Sequence, residues 1–245
     1  MPDVKLSQLF AQSPATVAEG AKLWTHKGHM DGLILEWVDG TTLRLTSGSA
    51  FIEGLGYAVA VPAPITKSGL SLAAGSWYHV YLRLNAGVPD VEVVTTAPAA
   101  PYNGTARSKG GDATRRYLGT FLTNSGGGMK AFKQSAHYFA WMGRNSIVPH
   151  HVLAAGTATS QTPVSLAGIV PFPGIVAMLH ARADSSAGLQ ITNAEAASFA
   201  VIEVGPGAEV ITPFPVDSTH SVAYANAAAP AVGANLYVPG FFVER

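Results

Sequence analysis

From Gly32 onward, apolar and polar residues alternate in short runs with a period of two. In TTLRLTSG, Thr42, Arg44 and Thr46 alternate with Leu43 and Leu45, so one face turns to a core and the other to water. LILEWV precedes this run across Asp39-Gly40, a dipeptide that supplies the positive φ of a tight hairpin turn. SAFIEGLGYAVAVPAPI adds Phe51, Tyr57, Val59 and Val61 before Pro62 and Pro64 close the run. WYHVYLRL sets Tyr78, Val80, Leu82 and Leu84, expected to face inward, against Trp77, His79, Tyr81 and Arg83, expected to line a second interface.

VEVVTT reads as a further strand, and the Pro and Gly content of APAAPYNGTARSKGGDAT predicts a long irregular connection. RRYLGTFLTN and MKAFKQSAHYFAWMG follow as strands around the turn Ser125–Gly128. The last third repeats the style in VSLAGIVP, GIVAMLHARAD, LQITNAE, SFAVIEVG, AEVITPFPVD, HSVAYANAAA and NLYVPGFFVER. Short strands recurring about every dozen residues predict an all-β chain of antiparallel sandwich type. Pro149, Gly156 and Pro163 bracket a Thr/Ser/Ala-rich stretch. We therefore expect two antiparallel β-sandwich-like domains, 31–155 and 156–245, behind an N-terminal arm at 1–30. Val4, Leu6, Leu9 and Phe10 lie near helical spacing, so that arm is expected to be a short helix or an extended attachment segment.

Composition narrows the function classes. Only 12% of the 245 residues are charged, 15 basic and 15 acidic, so the formal net charge is zero and no long-range field draws the chain to nucleic acid. With 48% hydrophobic residues and so little charge, self-association is expected to cover part of the apolar surface. The absence of cysteine removes disulfides, thiolate metal sites and thiol catalysis. MPDVKLSQLF does not read as a secretory signal, and no run of about 18 apolar residues predicts membrane insertion.

Candidate chemistry is sparse. His26, His29 and Asp31 lie close in sequence, but Gly28 argues against a shared helical face, and the adjacent His150 and His151 point apart in an extended strand. No GxSxG elbow and no GxxxxGK loop is present, and Glu36, Glu53, Asp90, Glu92, Asp112, Asp184, Glu195, Glu203 and Glu209 include no pair that the sequence singles out. We expect no catalytic residues, no metal and no cofactor. Ligand contact is expected on the polar loop, at Asn103, Thr105, Arg107, Ser108, Lys109 and Asp112, because binding groups are commonly carried by loops on a rigid scaffold. Trp77 and Tyr81, together with Arg115 and Arg116, are candidates for a contact between subunits. The aromatics read as half-core, half-interface rings with sugar-stacking platforms as the alternative, and for the arginines the alternative is a solvated strand end.

The order of parts from Trp77 to Phe132 resembles a module of tailed-bacteriophage virion proteins, found in tail fibres, baseplates and receptor-binding proteins. The matching positions are Trp77, Tyr78, Val80 and Tyr81, then Thr95-Thr96-Ala97-Pro98, Arg115-Arg116-Tyr117-Leu118-Gly119 and Phe132, with a weaker likeness in the closing YVPGFFVER. The resemblance implies a homotrimer in the virion, made in the host cytoplasm, that contacts other tail or baseplate proteins and a bacterial surface receptor, protein or glycan. An architectural head decoration, collar or adaptor protein is the alternative, and a surface-glycan hydrolase a third.

Overall fold

The computed structural model describes residues 26–143, 150–193, 195 and 202–242. The expected helical segment of the N-terminal arm lies outside the described residues. Twenty strands and one 3-10 turn, Glu53–Leu55, make up the regular structure among them. The first part of the chain contributes β1 (Met30–Gly32), β2 (Leu35–Asp39), β3 (Thr42–Leu45), β4 (Gly48–Ile52), β5 (Tyr57–Val61) and β6 (Ile65–Lys67). Next come β7 (Trp77–Asn85), β8 (Val88–Val94), β9 (Ser108–Lys109), β10 (Asp112–Leu122), β11 (Phe132–Ser135) and β12 (Tyr138–Trp141). The remainder holds β13 (His151–Gly156), β14 (Thr162–Ser165), β15 (Val176–Arg182) and β16 (Leu189–Thr192). It closes with β17 (Ile202–Val204), β18 (Glu209–Pro215), β19 (Ser221–Asn226) and β20 (Ala234–Phe242).

The chain is all-β and sandwich-like, in four antiparallel sheets. The largest runs β18-β15-β20-β12-β11-β2-β3-β6, with β13 also paired to β20. The others are β1-β4-β5, β8-β7-β10-β9 and β14-β19-β16-β17. The nine-stranded sheet joins both halves of the chain: Tyr138, Phe139 and Ala140 pair with Phe242, Phe241 and Gly240. Residues 155 and 156, where the sequence reading divides the chain, fall inside β13. One continuous apolar core runs from Leu33 to Phe241.

The alternation that predicts β3 holds, with Leu43 and Leu45 buried and Arg44 exposed. Its hairpin with β2 forms too, by a different device from the one expected. Gly40 does not enter the left-handed region; the Asp39 carboxylate instead accepts the Thr41 amide at 2.7 Å and the Thr41 hydroxyl at 3.2 Å. Positive φ is used at the β7–β8 turn, where Ala86 (φ 50°) and Gly87 (φ 82°) join Asn85 to Val88.

Strand β7 departs from the expected division into a core face and an interface face. Residues Tyr78–Leu82 are all buried. Tyr78 stacks on Phe121 at 5.6 Å on one side; on the other, Trp77 packs against Trp141 at 5.9 Å and Phe241 at 6.2 Å, and Tyr81 against Tyr117 at 5.8 Å. The second interface expected for Trp77, His79 and Tyr81 is thus taken up within the same chain, by another sheet at Trp77 and by Tyr117 of the paired strand at His79 and Tyr81. Both sets of side chains are apolar enough to be enclosed, apart from Arg83, which reaches Asp90 at 3.0 Å.

Candidate functional site

The outer face of the nine-stranded sheet carries a groove of about 630 Å³ over β2, β3, β6 and β11. The register explains its composition. Lys133 lies opposite Glu36, Glu36 opposite Arg44, and Arg44 opposite Thr66. Directly paired residues share a face, so these four side chains form one row across four strands, spaced by roughly 5 Å per strand. Arg44 donates through Nε to Glu36 Oε2. The hydrogen bond and charge of Glu36 raise the Arg44 pKa, so the guanidinium remains protonated. With 47% and 38% of their side chains exposed, the two are screened by solvent and add little to stability as a pair. Lys133 is exposed and has no acidic partner among the described residues.

Apolar side chains frame this row. Val38 and Met142 are 49% and 55% exposed, whereas Trp37, paired with buried Leu43, packs on the core and directs its indole N–H to the Met129 carbonyl at 3.3 Å. Phe132 and Leu35 underlie the groove. Gln134 fixes its floor: Oε1 accepts the Leu35 amide at 2.9 Å, and Nε2 donates to the Ala136 carbonyl at 3.2 Å. That buried side chain ties β2 to the β11–β12 turn at a seam with a single ladder pair, Lys133 and Glu36. Among the described residues Glu36 is the one carboxylate lining the groove, and an arginine holds it. The arrangement suits holding a ligand, whereas glycoside cleavage by the usual route needs two carboxylates about 5 to 9 Å apart.

Beyond the groove the same face becomes apolar. From Lys133 the register continues through Ala140, Gly240, Met178 and Pro213. Tyr237 lies between His151, stacked at 4.5 Å, and His180 at 5.1 Å, and Val176 and Ile211 stand 37% and 63% exposed. His180 meets Glu209 at 3.2 Å and His151 meets Asn235 at 3.0 Å.

The expected binding loop is pinned down. Its backbone folds on itself, Ala106 N–H to the Asn103 carbonyl at 2.9 Å and Tyr102 N–H to the Ala106 carbonyl at 2.9 Å. Arg107 lies over the Phe172 ring at 5.1 Å and donates to the Ala99 carbonyl at 3.2 Å. Ser108 is buried, its hydroxyl 3.4 Å from Glu53. Lys109 reaches Glu92 at 3.1 Å, and Asp112 accepts the Thr114 amide and hydroxyl. Thr105 is exposed at the tip. Most of these polar groups therefore hold the loop together.

Of the expected contacts between subunits, Tyr81 and Arg116 are corrected. They are 0% and 1% exposed, so neither offers a surface to a second copy. Tyr81 donates to the Thr96 carbonyl at 2.7 Å, and Arg116 meets the Tyr102 hydroxyl at 3.2 Å. Trp77 also spends its ring inside the chain and donates its N–H to the Ala167 carbonyl at 3.1 Å. Arg115 pairs with Glu92 at 3.2 Å and Asp112 at 3.7 Å in a partly exposed cluster.

The histidine pairs resolve as turn and core groups. His26 Nδ1 accepts the Gly28 amide at 3.0 Å, and His29 meets the Ser49 hydroxyl at 2.8 Å. His150 is buried edge-on against Trp141 at 6.1 Å, away from its neighbour His151 on Tyr237. Among the described residues no group of three or more His, Asp or Glu is placed to hold a metal ion, and no helix is long and apolar enough to cross a membrane.

No family model matches this chain, and no curated protein matches it. Among solved structures, a GH32 β-fructofuranosidase of Bombyx mori, BmSUC1, aligns over 85% of this chain and 65% of its own at 10% identity, with a TM-score of 0.17. A likeness that slight carries no argument about fold or activity.

Proposed function

We propose that this chain is a structural and recognition subunit of a tailed-phage virion, at the tail tip, baseplate or fibre. It joins copies of itself and neighbouring proteins through the apolar part of the outer sheet face and presents the groove to the host surface. One observation carries this reading: Val38, Met142, Val176 and Ile211, four of the six most exposed large hydrophobics among the described residues, lie on that single face. Water-exposed apolar residues gathered on one side of a sheet favour a partner. The resemblance from Trp77 to Phe132 supplies the virion setting and the expected count of three.

Light scattering on the purified chain tests the association. A mass near three times 25.4 kDa supports the reading, and reduction to a monomer by Ile211→Glu with Val176→Glu assigns the contact to this face. A monomeric wild type, or a trimer indifferent to both substitutions, removes the face as the self-contact. Saturating protein that fails to slow phage adsorption removes host recognition, and an antibody that labels heads instead of tails favours the architectural alternative.

A further inference from the structure

Building on the recognition role proposed above, we infer that the groove over β2, β3, β6 and β11 binds a carboxylate-bearing saccharide. Among the described residues two cations and one anion line it, a net positive charge on a chain whose formal net charge is zero. Glu36 is satisfied by Arg44 Nε, whereas Arg44 Nη1 and Nη2 and Lys133 Nζ have no protein acceptor among the described residues. Those donors lie two strands apart, roughly 10 Å, on either side of Glu36. A carboxylate completes the charge balance, and Glu36 Oε1 and the Thr66 hydroxyl remain for sugar hydroxyls. Val38 and Met142 supply an apolar edge for the C–H face of a sugar ring, and about 630 Å³ lies within the range of small-ligand sites.

Two other occupants fit less well. An extended peptide gains affinity from main-chain hydrogen bonds along a sheet edge, but this groove lies on a face whose strands are already paired on both sides at β2, β3 and β11. Nucleic acid needs many phosphate contacts, and two cations with an intervening acid supply few.

The test is titration of the intact chain with trigalacturonic acid and 3′-sialyllactose, against maltotriose and lactose, by calorimetry at low salt and at 0.5 M salt. We expect saturable binding of at least one acidic probe, weakened by salt. Lys133→Glu should weaken it by about tenfold or more, the scale of one charged hydrogen bond. Val88→Glu, at a 63% exposed position of the β7–β8 hairpin outside the groove, should leave it unchanged. Lys133 is exposed, so its replacement leaves the core intact, and unchanged circular dichroism and melting confirm that.

Failure of both acidic probes to bind overturns the inference, as does binding that Lys133→Glu leaves unaltered. Equal binding of neutral sugars overturns the charge requirement and keeps the groove as a recognition site. Displacement by inorganic phosphate at the same concentration as the sugars also overturns it, in favour of a plain anion site. Acidic-sugar binding with no effect on phage adsorption supports the ligand class while removing host recognition, so the two fail separately.

Discussion

The indole of Trp77 sits 5.9 Å from that of Trp141, ring centre to ring centre, with the planes inclined at 49°. Trp77 opens the longest run of buried β7, and Trp141 ends β12, the strand that receives β20. Phe241 of β20 completes the cluster, 6.2 Å from Trp77 and 5.9 Å from Trp141. Three aromatic rings thus couple the β7–β10 sheet to the seam where early and late parts of the chain pair.

Trp77→Ala should lower stability by about 3 kcal/mol, the usual cost of removing a large core aromatic. If the seam makes the two halves one cooperative unit, urea unfolding of this variant shifts as a single transition, coincident by far-ultraviolet circular dichroism and by fluorescence. Two separated transitions would show halves that unfold independently.

Burial of His79 pushes its pKa down from 6.5 to about 4. The folded state therefore keeps the ring neutral where the unfolded chain takes up a proton. The stability this contributes is complete above pH 6.5 and is lost as the pH falls through about 4, an effect of about 3 kcal/mol. In His79→Leu the dependence on pH between 6.5 and 4 should flatten by that amount, as measured by urea midpoints across the range. An unchanged slope would assign the acid sensitivity elsewhere.

Ala86 occupies the left-handed region at φ 50°, next to Gly87 at φ 82°, in the two-residue turn between β7 and β8. An L side chain with a Cβ pays for that conformation, and asparagine and glycine tolerate it better. Ala86→Asn and Ala86→Gly should each raise stability, by up to about 1 kcal/mol, visible as a higher melting temperature. A lower one would show that Ala86 makes a packing contact worth more than the strain.

Asp184 is a carboxylate staple. It accepts the Ser186 hydroxyl and amide together with the amides of Ala231, Val232 and Gly233, which hold its pKa well below the usual carboxylate range. Its contribution is present above the ordinary carboxylate value and fades as acid protonates the folded state. Asp184→Asn should melt earlier than wild type at neutral pH, with the gap closing at strongly acid pH. A gap of constant size would mean that shape, not charge, does the holding.

Different parts of this architecture are legible in the sequence to different degrees. The alternation at Thr42–Thr46 is enough to place β3 and its inward leucines, because a strand with one wet face writes its period into the residues. The opposition of Glu36 and Arg44 does not follow from the turn alone, because a bulge between Trp37 and Asp39 shifts the register that the Asp39–Thr42 pair begins. Nor does Lys133 follow, since its place beside Glu36 depends on a strand pairing set by tertiary packing. Strand β7 misleads for the opposite reason: with both faces enclosed, His79 and Tyr81 are buried along with Tyr78, Val80 and Leu82, between which they alternate. The loop from Asn103 to Asp112 is polar in composition, yet its charges are spent on Glu92, Thr114 and its own backbone, which composition alone does not reveal.

Strand β20 is synthesised after every strand it joins, yet it lies in the middle of the largest sheet, against β12, β13 and β15. Until residues 234–242 leave the ribosome, those neighbours expose unpaired backbone donors and acceptors to any other strand nearby. Folding must then close pairings that are distant in sequence, which is slow. A nascent chain held before Ala234 is therefore the form most exposed to mispairing, and slower growth at low temperature should favour recovery of correctly paired protein.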